Sequence, residues 1–214
     1  KTFVIYGTAA TGAGTMTNVN ADTDSSVFTI TNTGSNTDSG SGALVVETND
    51  VVTVTATVNP TLTFALSSAS VSLGTLTTGA IGSGSHTLAA ATNATGGYAI
   101  TYNGATLTSG SDTIDANAGS TAVAGTEEFG INLRDNATPN VGSDVTASAG
   151  SCGYASGYGT ADSYVFVPST TTTITSISAA ADCTYTVSYV ASISSITPAG
   201  SYSTAITYVA TGTF

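Results

Sequence analysis

A chain of 214 residues with a net charge of −11 and only 7% charged residues carries little of what acid–base, metal or phosphate chemistry uses. Its basic residues are Lys1 and Arg134 and its one histidine is His86, so no basic patch exists to release counterions from nucleic acid, and the acidic balance repels anionic lipid. No apolar run approaches the roughly 20 residues that span a bilayer, which excludes a membrane-spanning helix on sequence grounds.

With 41% hydrophobic residues the chain has enough apolar material for a core, so general disorder is excluded as well. Thr, Val, Ile, Tyr and Phe are frequent, whereas straight-chain helix formers are scarce, with Glu only at positions 47, 127 and 128. β-Branched and aromatic side chains fit a pleated, half-buried surface, and the expected class is all-β. The chain starts at Lys1 without a Met and reads as the mature form of a secreted protein cleaved from a signal peptide.

Residues 1–20 open with the bulky block Phe3, Val4, Ile5 and Tyr6 and continue with small residues. Alternate positions Phe3, Ile5, Gly7, Ala9, Thr11 and Ala13 suit a strand lying in a narrow groove, and the segment reads as an arm before a single domain over 21–214. Asn18, Asn20, Asp22 and Asp24 echo a calcium loop, but Thr23 stands where the turn needs Gly and the closing Glu is missing, so a solvated linker is expected and no metal. Val27–Thr31 and Ala43–Glu47 then predict a hairpin around a Ser/Gly/Asn/Asp loop.

From Val52 the alternation is strict: Val52, Val54, Ala56, Val58, Leu62, Phe64 and Leu66 share one face and threonines the other. Short strands are predicted at Val71–Leu76, His86–Thr92, Tyr98–Tyr102, Thr106–Thr108 and Phe129–Arg134, with His86 opening its strand, Arg134 pairing with Asp135, and Val141–Gly159 as a long loop. Turn signals every 8–15 residues or so favour a jelly-roll-like or Ig-like β-sandwich over βαβ units. The strongest strand material follows. Cys183, Tyr185, Val187, Tyr189 and Ala191 share one face, as do Tyr202, Ile206, Tyr208, Ala210 and Phe214; both segments are expected to be central strands joined through Pro198–Gly200.

Cys152 and Cys183 have no His or further Cys to complete a metal site, and in a secreted chain the reading is a disulfide, against two buried free thiols or, more weakly, a redox pair. Closing a loop of about 31 residues is worth roughly 3–4 kcal/mol in the chain-entropy picture. Asn93-Ala-Thr95 and Asn136-Ala-Thr138 are N-glycosylation sequons at turns, the second weakened by Pro139. Tyr154, Tyr158 and Tyr164 are the rings available for sugar stacking, with core or loop packing as the plainer role. Paired carboxylates are the one enzymatic option that needs no basic residue. Thirteen acidic residues make a close pair inevitable, so the chain is read as no enzyme and without cofactor.

The ending PAGSYSTAITYVATGTF resembles the terminal hairpin of secreted bacterial β-sandwich proteins, including spore-coat-U-like and chaperone–usher pilin domains and WxL-type surface domains, although the chain has no Trp. VTVTATVNPTLTFALSSASVSLGTL is similar to the opening of bacterial β-rich surface proteins. The resemblance implies assembly as in chaperone–usher pili, camelysin-like biofilm fibres and archaeal thread or bundling-pilus proteins, where the N-terminal strand of one subunit completes the sheet of the next. It places the donor residues at Phe3, Val4, Ile5, Tyr6 and Ala9, and the expected function is a structural subunit of a secreted, extracellular pilus or biofilm fibre, a head-to-tail homopolymer serving adhesion and touching neighbouring filaments or glycans. The alternative is a monomeric cell-surface adhesin or carbohydrate-binding module whose first strand folds back into its own sheet.

Overall fold

The computed structural model describes residues 52–214 and the backbone of two short strands before them. Contacts divide the chain into two units, Lys1–Thr57 and Val58–Phe214. The arm, with Phe3, Val4, Ile5, Tyr6 and Ala9, and the Asn/Asp alternation after it lie outside the described residues. In the first unit β1 (Ser26–Thr31) pairs antiparallel with β2 (Ser39–Leu44), Ser26 opposite Leu44 and Thr31 opposite Ser39. This is the expected hairpin with its return strand beginning earlier, because backbone pairing through Ser39–Gly42 needs no bulky side chain.

The second unit runs β3 (Leu62–Leu66), β4 (Gly82–Thr92), β5 (Tyr98–Gly104), β6 (Thr108–Ser109), β7 (Asp112–Thr113), β8 (Ala118–Ser120), β9 (Glu128–Asn132), β10 (Asn136–Ala137), β11 (Asn140–Val141), β12 (Thr146–Ala149), β13 (Tyr164–Val165), β14 (Thr172–Ser176), β15 (Ala181–Ser192) and β16 (Ile206–Gly212). No described residue is helical. The larger sheet has the order β3-β4-β15-β9-β13-β8, with β12 also on β15, and the smaller sheet the order β14-β5-β16; all strand pairings are antiparallel.

The two sheets face each other across one core, in the manner of a β-sandwich. Leu88 and Ala90 of β4, Tyr185 and Val187 of β15 and Phe129 and Ile131 of β9 meet Tyr98, Ile100 and Tyr102 of β5 and Ile174 of β14, all buried. The alternation read along β15 is observed: Cys183, Tyr185, Val187 and Ala191 are buried on the core face. The reverse face is buried too over its second half: Ser188 and Ser192 bond Asn136 and Glu128, and Val190 packs with Ala122 and Tyr164. Buried phenols find one another, Tyr98 with Tyr185 at 3.3 Å and Tyr102 with Tyr158 at 3.1 Å, which satisfies hydroxyls that would otherwise be costly inside.

Several expectations are corrected. Val52–Val58 forms no paired strand, and Val52, Val54 and Val58 are 83%, 87% and 83% exposed; pairing starts at Leu62. Val71–Leu76 forms no strand and turns at Gly74, at φ +72°. β16 is not central but the edge of the smaller sheet, with Thr207, Val209 and Thr211 outward and Phe214 exposed. His86 lies inside β4, which begins at Gly82. Arg134 pairs with Asp144 at 3.0 Å rather than Asp135 and lies over the Tyr154 ring. The loop Val141–Gly159 contains β12 and the end of β11.

Candidate functional site

Glycine in a strand interior marks a close approach by another chain segment. Gly82 and Gly84 share the inward face of β4 with His86 and Leu88, and the segment Val71–Leu76 lies against them. A Cβ on Gly82 would stand 2.4 Å from Leu76 Cδ2 and 2.7 Å from the Leu73 carbonyl oxygen, and one on Gly84 would stand 2.7 Å from Val71 Cγ1. Val71, Leu73 and Leu76 turn to that face and are only half-buried, because no strand of the second sheet closes over them.

What remains between this segment and Thr197–Thr204 is a cleft of about 900 Å³. Its sides are Leu66–Leu76 and Thr197–Thr204; its deeper part is made by His86, Leu107, Phe129, Tyr189, Ile206 and Tyr208. No Asp, Glu, Lys or Arg lines it, in a molecule of net charge −11. It lies at the side of the second unit where β3 ends the larger sheet and β16 ends the smaller one.

His86 is the one polar side chain in the deep part that lacks partners. It is 6% exposed, and neither Nδ1 nor Nε2 has a hydrogen-bond partner among the described residues. Its ring stacks on Tyr189 at 5.6 Å and meets Tyr208 at 5.6 Å in a tilted arrangement. The phenols of Tyr189 and Tyr208 bond each other at 2.6 Å, and burial pushes both above the ordinary tyrosine value, so the imidazole faces neutral rings. Burial also lowers the His86 pKa below its ordinary 6.5.

The sign of the consequence follows from linkage. The unfolded state takes up the proton first, so the stability held by neutral His86 is fully present above pH 6.5 and is lost as pH falls through the lower folded value. Urea midpoints should therefore fall between pH 7.5 and pH 5, and the part of that fall due to His86 should vanish in His86→Phe.

The other predicted site residues distribute elsewhere. Cys152 and Cys183 are joined, with Cα atoms 6.0 Å apart, tying the loop after β12 to the core face of β15. Asn93 is exposed and commits its side chain to the incoming chain, accepting from the Thr61 amide at 2.8 Å and donating to the Asn59 carbonyl at 2.8 Å. Asn136 is 2% exposed, and its amide reaches Asn132 Oδ1, the Arg134 and Val141 carbonyls and Ser188 Oγ. The folded chain leaves no room for a glycan there. Tyr158 and Tyr164 are buried and Tyr154 is half-buried, so these rings pack rather than present a stacking surface. Among the described residues no group of three or more His, Cys, Asp or Glu could hold a metal ion, and no helix is long and apolar enough to cross a membrane.

Comparison with protein-family models, with curated proteins and with solved structures found no match for the chain. The uncharged cleft and the buried, unpartnered imidazole in it were not found by sequence reasoning; Gly82 and Gly84, alternating with serines at the start of β4, were the available signal.

Proposed function

We propose that the protein is the structural subunit of an extracellular filament and that the cleft is the acceptor for residues 1–20 of a neighbouring copy. The observation that carries this reading is the segment Val71–Leu76. Its sequence is strand-like, yet it pairs with no strand and turns at Gly74, at φ +72°, and its half-buried Val71 and Leu73 face an open, uncharged cleft. Unpaired strand edges beside apolar side chains are the features that an added strand satisfies.

The arm has the matching character. As a strand the arm would put Phe3 and Ile5 on one face, and burying each would contribute about 1.5–3 kcal/mol before any backbone pairing. Twenty extended residues reach roughly 65 Å, ample to enter a second molecule. Arm and cleft are different surfaces, so the contact is heterologous and propagates unless it closes into a ring. The disulfide supports an oxidising, extracellular setting for such a fibre. In this reading the sandwich is of the jelly-roll or Ig-like kind that pilins use, and adhesion is mechanical.

Electron microscopy of the purified chain beside a version lacking residues 1–20 tests the proposal. Filaments from the full chain and soluble particles from the truncation are expected. Single particles from both would overturn it.

A further inference from the structure

We infer that the arm of the neighbouring copy pairs with the outer edge of β16 and becomes a fourth strand of the smaller sheet, in the order β14-β5-β16-arm. This rests on the reading above that residues 1–20 of a second copy fill the cleft.

The backbone of β16 shows which of its groups are unused. Ser203 and Thr108 exchange hydrogen bonds of 3.0 Å, and Thr213 donates to the Gly97 carbonyl at 2.9 Å and accepts from the Gly96 amide at 3.0 Å, so both ends of this stretch turn toward the chain that carries β5 and β6. On β5, the Tyr98 and Gly104 carbonyls face the opposite neighbour, accepting from the Ile177 amide at 2.9 Å and the Ser169 amide at 2.6 Å; these two residues stand opposite Gly212 and Ile206. Bonded and non-bonded pairs alternate along an antiparallel ladder. Thr207, Val209 and Thr211 therefore bond β5, while Ile206, Tyr208 and Ala210 direct their amides and carbonyls away from it. Among the described residues nothing bonds them there, because β16 ends its sheet.

Other strand margins are short, bulged or covered. The outer side of β14 receives the Ala155 amide on the Ile174 carbonyl at 2.8 Å, and its ladder shifts between Thr173 and Thr175. β8 has three residues, and β12 has four with a shift in register. β16 has seven residues in unbroken register, and Ser203–Gly212 contains no proline and no charge, the devices that usually keep an edge from pairing. β3 ends the larger sheet, but it contributes only its last residue, Leu66, to the cleft, whereas β16 contributes Ile206 and Tyr208. At the far end of β16 the sandwich narrows, a Cβ on Gly212 standing 3.5 Å from Leu62 Cδ2. The cleft thus opens along the unpaired edge of β16.

An arm strand on this edge puts alternate residues Phe3 and Ile5 inward beside Ile206 and Tyr208. Val4 and Tyr6 then lie outward beside Thr207 and Val209, and Val209 is 50% exposed without such a neighbour. The arm contains no proline, and between Lys1 and Asp22 no charge, so it brings an uninterrupted row of backbone donors and adds little repulsion between copies of net charge −11.

Ala210→Pro tests the pairing, because it removes an outward amide and leaves the β5 ladder intact; proline is tolerated at an edge position whose amide faces outward. Ala210→Ser alters the same side chain and keeps the amide. Initial assembly rates of the full chain, followed by light scattering, should fall at least about tenfold in the proline variant and stay at the parent rate in the serine variant. Both should keep the parent urea midpoint. Ala210→Pro assembling as fast as Ala210→Ser overturns the pairing with β16. If Phe3→Asp/Ile5→Asp stays monomeric while Ala210→Pro assembles normally, the arm reading stands and the pairing falls; if Phe3→Asp/Ile5→Asp assembles like the parent chain, both fall. Should Ala210→Pro lose its fold, amide exchange in the parent chain decides: the Tyr208 and Ala210 amides should exchange at least about tenfold more slowly in the assembly than in monomeric Phe3→Asp/Ile5→Asp, and equal exchange overturns the pairing.

Discussion

Replacing Cys152 and Cys183 with serine is expected to lower the unfolding free energy by about 3–4 kcal/mol, the loop-closure value for this span. The bridge joins a half-buried cysteine in the loop after β12 to one that is 0% exposed on the core face of β15, opposite Ala90 of β4. That loop also carries Tyr154, whose hydroxyl accepts from the Val145 amide at 2.9 Å, and Tyr158, packed edge-on against Tyr102. Losing the bridge therefore frees a segment that supplies core aromatics, and a serine at 183 adds a hydroxyl to an apolar site. Urea unfolding of the parent chain under reducing conditions should move to the midpoint of the double-serine variant. An unchanged midpoint on reduction would mean that packing alone holds the loop.

Asn136→Ala is expected to cost about 3 kcal/mol, in the range for breaking a buried hydrogen-bond network. Asn136 Oδ1 accepts from Asn132 Nδ2 at 2.6 Å and from the Asp162 amide at 2.8 Å, while its amide serves the Arg134 and Val141 carbonyls at 2.7 and 2.9 Å. Truncation strips the Asp162 amide of its partner and removes one bond each from Asn132 Nδ2 and from the Arg134 and Val141 carbonyls, which keep weaker or fewer partners in Ser188 Oγ and the Thr160 and Ser163 carbonyls. Gly142, at φ +91°, brings the chain so close that a Cβ would stand 2.1 Å from Ser188 Oγ, so the site has no slack to rearrange. Chemical unfolding measures the cost; a loss below about 1 kcal/mol would show that water replaces the amide fully.

How far the sequence could be read depends on what each residue pattern reports. Alternation in Cys183–Ala191 located β15 because large side chains on one face can be satisfied only by a core, and the turn clusters around Tyr98–Tyr102 located β5. Alternation in Val52–Val58 and the turn-bounded run Val71–Leu76 predicted strands that do not form: local patterning reports compatibility with a sheet and says nothing of whether a neighbour is present. Short strands such as β10, β11 and β12, built of Asn, Ala, Ser and Thr, escaped notice because their pairing is a backbone matter. The polar network at Asn132, Asn136 and Ser188 was hidden by composition, since in a Ser/Thr/Asn-rich chain a buried asparagine looks like a turn residue or a sequon. The edge position of β16 depended on strand order, which rests on contacts distant in sequence.

The most direct test of the account is a photo-crosslinking residue in place of Phe3, in an assembly of isotopically labelled and unlabelled copies mixed in equal amounts and mapped by mass spectrometry. The account predicts crosslinks from position 3 to the cleft-lining stretches Leu66–Leu76 or Thr197–Tyr208, with mixed isotope pairs. Crosslinks confined to single copies would contradict it and indicate a chain that completes its own sheet.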